Sequence, residues 1–63
     1  MNALDLLLKQ IDDKVRRLEE VLGAGEAKDF ADYQRICGEI KGLFTTRMFV
    51  TDLKQNMENS DDI

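Results

Sequence analysis

The chain has no histidine, no tryptophan and no proline, and its 63 residues include one cysteine and four glycines. Each shortage excludes something. The single thiol, Cys37, cannot close an internal disulfide, and without histidine a Cys/His metal centre cannot be assembled. There is no Ser/His or Cys/His set, no phosphate-binding glycine loop and no H-E-x-x-H pattern. The stretch GAGEAK at 23–28 has neither a preceding strand nor a G-K-S/T ending. No enzyme, metal, cofactor or small-molecule substrate is therefore expected. No apolar run approaches the roughly 18 residues of a membrane span, and no basic stripe carries interleaved aromatics. Neither a membrane nor a nucleic acid is an expected partner. The lone cysteine fits a reducing, intracellular setting.

What remains is charge and leucine periodicity. The net charge is −4, and the segment ENSDDI at 58–63 adds three acids without a base. That segment is expected to be a disordered acidic tail. A chain this short hides only about 60% of its unfolded surface, and one core of that size rarely supplies more than about 3–5 kcal/mol. With disulfide and metal excluded, oligomerisation or docking on a larger protein is the expected support.

One clear break, the glycine pair in VLGAGEAKDF, divides two helical patterns. In the first, residues 3–22, Leu4, Leu8, Ile11, Val15, Leu18 and Leu22 recur at spacings of four, three, four, three and four. That is an unbroken heptad seam. Asn2 is the expected N-cap and Gly23 the expected left-handed C′ residue. Outward rows Asp5/Lys9/Asp13/Arg17 and Asp12/Arg16/Glu20 read as a solvated face. The second helix, residues 29–57, is expected to start at a capping Asp29 after a turn at 23–28, with Glu26 or Ala27 as the alternative start. Phe30, Tyr33, Cys37, Ile40 and Phe44 are its expected inward stripe, with Ile36 and Leu43 beside it. Cys37 is expected to be a buried, inert thiol on that stripe. Arg47 continues the stripe and is expected to reach Asp5 or another acid near the open end, while Thr46 bonds back to the Gly42 carbonyl.

The expected architecture is all-α, an antiparallel, coiled-coil-like two-helix hairpin whose second helix is longer. At 1.5 Å per residue the helices measure about 30 and 43 Å. Leu22 would lie near Phe30, Val15 near Cys37, and Leu4 near Arg47 or Met48. Val50, Leu53 and Met57 lie about 100° around the helix from the first stripe. They would run past the end of the first helix and need a cover from outside the hairpin. Gly38 and Gly42, at i and i+4, fall almost opposite the inward stripe, on the side of Ala27, Ala31, Thr45 and Phe49. Small residues so spaced let another backbone approach closely. The expected interaction face is thus Ala31, Gly38, Gly42, Thr45, Phe49, Val50, Leu53 and Met57.

The block GEAKDFADYQRICGEIKGL at 25–43 adds a context that periodicity does not supply. Its Ala27-Lys28-Asp29-Phe30, Tyr33-Gln34, and Cys37-Gly38 through Gly42-Leu43 resemble a block in small helical proteins of tailed, mostly short-tailed, bacteriophages. The resemblance covers about a third of the chain, and the leucine-rich first helix fits it only generically. It implies a viral protein made in the host cytoplasm, with a role in the virion or its assembly. The partners then expected are further copies of the chain or a larger phage protein. A second expectation is a small regulatory protein that binds and redirects or inhibits a host protein.

Overall fold

The computed structural model describes residues 2–60, Ser60 by its backbone alone. Two helices pack against each other, α1 (Ala3–Gly23) and α2 (Phe30–Ser60), in a rod measuring 52 × 19 × 12 Å. There is no strand among the described residues. α2 continues three residues beyond Met57, through part of the expected tail; residues 61–63 of that tail lie outside the described residues.

Local side chains fix where each helix begins. Asn2 has an extended backbone and its Oδ1 accepts the Asp5 N–H at 2.8 Å, which satisfies one of the amides that a first turn leaves free. Asp29 does the same for α2: its Oδ1 accepts the Asp32 N–H at 2.8 Å. Asp32 reaches back in turn, with Oδ2 accepting the Lys28 N–H at 3.0 Å. This is a close variant of the reciprocal capping box, displaced by one residue.

The turn corrects the expected C-cap. Gly23 is the last helical residue, and the left-handed residue is Gly25 at φ +70°. The Glu26 N–H donates to the Val21 carbonyl at 3.0 Å and the Gly25 N–H to Leu22 at 3.1 Å. Those two bonds make a Schellman motif with Gly25 at C′, two residues later than the spacing suggested. A Cβ at Gly25 would meet no neighbour, so only the backbone resists it. Gly25→Ala is expected to lower stability by about 1 kcal/mol through the left-handed strain alone. Gly23→Ala, in helical backbone and open space, is expected to raise it by a similar amount. Chemical denaturation of the two variants checks the pair, and equal effects would remove the assignment of C′ to Gly25.

The interface between the helices differs from the expected stripe in register. α1 uses its predicted seam, burying Ile11 and Val15 with Leu4 and Leu8 packed around them. On α2 the inward residues are Ile36, Ile40, Leu43 and Val50, not the aromatics. Phe30, Tyr33 and Phe44 are 70, 47 and 49% exposed, and Cys37 is only half-buried. With Arg47 and Lys54 included, α2 shows a seam at 36, 40, 43, 47, 50 and 54, the same four-three alternation as α1. The seam therefore does not drift. Val50 does not overhang the first helix either, because it packs with Ile11 and Val15.

Candidate interaction face

Two seam positions on α2 are basic, and α1 supplies an acid for each. Arg47 Nε donates to Asp12 Oδ1 at 2.7 Å, and Lys54 Nζ lies 2.5 Å from Asp5 Oδ1. Asp5 and Asp12 are seven residues apart, as are Arg47 and Lys54, so the pairs sit two turns apart along the interface in reversed chain order. The Arg47 and Lys54 side chains stay 44 and 31% exposed, which keeps their charges at the rim of the seam. Arg47 thus finds Asp12, further from the open end than the expected Asp5.

These contacts set a pH dependence. The Lys54 ammonium holds the Asp5 carboxyl below the usual carboxylate range, and the Lys28 backbone amide, then Arg35, does so for Asp32. A carboxylate depressed in the folded chain contributes stability above its unfolded value and loses it as pH falls through the folded one. Lys54, raised by Asp5, loses its contribution only as pH rises through its own elevated value. Stability is expected to fall as pH drops below about 4, the ordinary carboxylate range. The acid limb should flatten in Asp5→Asn and Asp32→Asn, and thermal midpoints across pH measure it. An acid limb identical in wild type and both variants would rule out these two groups.

The outer side of α2 carries most of the expected face. At 100° per residue, Ala31, Gly38, Gly42, Thr45 and Phe49 lie roughly 180–240° from Ile36, and all five are exposed. A Cβ built at Gly38 or Gly42 meets nothing within 4 Å. Leu53 and Met57, 50 and 54% exposed, form the shoulder of this side. Val50 is the exception: at 8% exposure it belongs to the core, because the seam reaches it. The Thr45 and Thr46 hydroxyls donate to the Lys41 and Gly42 carbonyls at 3.1 and 2.9 Å, as expected for Thr46.

A second uncovered region was missed by assigning the aromatics to the core. Phe30, Tyr33, Cys37, Phe44 and Met48 lie about 60–120° from Ile36, on one flank of α2. The Phe30 and Tyr33 rings stack at 6.2 Å, and the adjacent Cys37 thiol pushes the Tyr33 phenol above its ordinary value. Among the described residues no group of acids and thiols is placed to hold a metal ion, and no helix is long and apolar enough to cross a membrane. Compared with protein-family models, with curated proteins and with solved structures, the chain finds no match in any of the three.

Proposed function

We propose that this chain is a non-enzymatic bacteriophage structural or assembly protein, an antiparallel helical hairpin acting through helix–helix contacts. Its partners would be further copies of itself or a larger component of the virion, met in the host cytoplasm and in the particle. One observation carries the reading: α2 leaves most of its circumference uncovered, with Phe30, Phe44, Met48, Phe49, Leu53 and Met57 about half exposed or more. A monomer rarely leaves so many large apolar side chains uncovered along one helix without a use for them. The reversed order of the Asp5–Lys54 and Asp12–Arg47 pairs supports the antiparallel sense. The phage context rests on the similarity of residues 25–43.

The test compares the solution mass of the wild type with that of a Gly38→Leu/Gly42→Leu variant, and looks for the chain in purified particles. The variant should keep its helicity and lose the wild-type assembly or its docking on the particle. An unchanged assembly would show that the glycine side faces solvent. A regulatory binder of a host protein is the second reading, favoured by the acidic net charge of −4. It requires one stoichiometric host protein in a pull-down, and an empty pull-down beside clear self-association would end it.

A further inference from the structure

The hairpin exposes more surface than a folded chain of its mass should. Its accessible area is 4983 Å² at 7.2 kDa, whereas the scaling for compact monomers gives about 4,100 Å². The radius of gyration, 15.1 Å, likewise exceeds the roughly 10.6 Å of a compact chain of this length. The excess, about 900 Å², is close to the roughly 800 Å² that one partner contributes to a stable protein–protein interface. A rod with a single seam has no second layer of its own to hide that surface.

The flank formed by Phe30, Tyr33, Cys37, Phe44 and Met48 is the region suited to hide it. It is apolar along its length, and no acid falls within it. Lys41 stands at its edge, and Asp52 lies just beyond it. Two acidic chains that met through their charged rows would set carboxylates against carboxylates, but two copies of this flank would not. Such a face is complementary to itself, as the interface of a two-fold dimer must be. The Phe30–Tyr33 stack also presents large, already ordered rings, which lose little side-chain freedom on burial.

We infer that this aromatic flank of α2 is covered by the same flank of a second copy, making a symmetric dimer. The inference rests on the self-association proposed above and assigns it a face distinct from the glycine side, which is left for the larger assembly. In the Gly38→Leu/Gly42→Leu background the chain should therefore remain a dimer, and adding Phe44→Glu should halve its solution mass. Met48→Glu in place of Phe44→Glu repeats the test at a position that is 66% exposed and takes no part in the hairpin core. Cys37 is the only thiol, so its labelling by a soluble disulfide reagent reports the same face. Labelling should slow as the glycine variant is concentrated. It should become independent of concentration once Phe44→Glu or Met48→Glu dissociates the dimer. A dimer that survives both flank substitutions overturns the inference. So does a glycine variant that is already monomeric, although that result would uphold the glycine side as the contact. A wild type that is monomeric at every concentration overturns both.

Discussion

Ile11→Ala is expected to remove about 2–5 kcal/mol of stability, the range for truncating a buried branched side chain. Ile11 is 6% exposed and packs with Val15 and Val50, inside a ring of Leu4, Leu8, Ile40 and Leu43. The loss equals most of the roughly 3–5 kcal/mol that a core this small supplies. Dilute Ile11→Ala should therefore be largely unfolded by far-ultraviolet circular dichroism at room temperature. Phe44→Ala is the informative companion. Phe44 has the larger side chain but is 49% exposed, so its truncation should change dilute stability by no more than about 1 kcal/mol. Urea titrations of both, at concentrations too low for association, decide which residue faces α1. If Phe44→Ala proves the more damaging, the seam through Ile36, Ile40 and Leu43 is wrong.

Gly38→Ala/Gly42→Ala is expected to act in the opposite direction. Both glycines are helical, and a Cβ at either meets nothing within 4 Å. Each substitution should add about 1 kcal/mol by narrowing the unfolded chain's freedom, so the pair should add about 2 kcal/mol. For a domain of this length that corresponds to a rise of about 8–16 °C in the thermal midpoint. The gain applies to the isolated hairpin. If another backbone lies against the glycines in the assembly, two methyl groups push it away, and the same variant associates more weakly. Thermal midpoints measured over a dilution series separate the two effects. No gain at high dilution would mean that the glycines already contact something within one chain.

The sequence made α1 legible because that helix is amphipathic in one direction only. Leu4, Leu8, Ile11 and Val15 leave no competing stripe, and the Asn2 and Asp29 caps were equally plain. α2 is apolar on several sides, so periodicity alone could not rank them. Its true seam shares Ile40 and Arg47 with the aromatic line at Phe30, Tyr33 and Phe44 and is further interrupted by Lys54, so the aromatic line looked no weaker. The interruption is compensated by Asp12 and Asp5, and Asp12 lies 35 residues from its partner in the chain. The one available signal was the matched seven-residue spacing of those acids and bases. Of the candidate face, the outward position of Gly38 and Gly42 followed from geometry relative to either stripe. Val50 did not, since its place depended on the register.

The turn wired around Gly25 also bears on how the hairpin forms. Residues 24–29 separate the helices, and the bonds from Ala24, Gly25, Glu26 and Lys28 close that connection using neighbours only a few residues away. Short loops close in tens of nanoseconds, and chains dominated by local contacts fold on the microsecond-to-millisecond scale. Contacts nearer the turn enclose shorter loops, so Asp12 and Arg47 can meet before Asp5 and Lys54 do. The molecule is in this sense a zipper with one fixed end. Its free end, where Asp5 meets Lys54, is the end from which thermal opening begins.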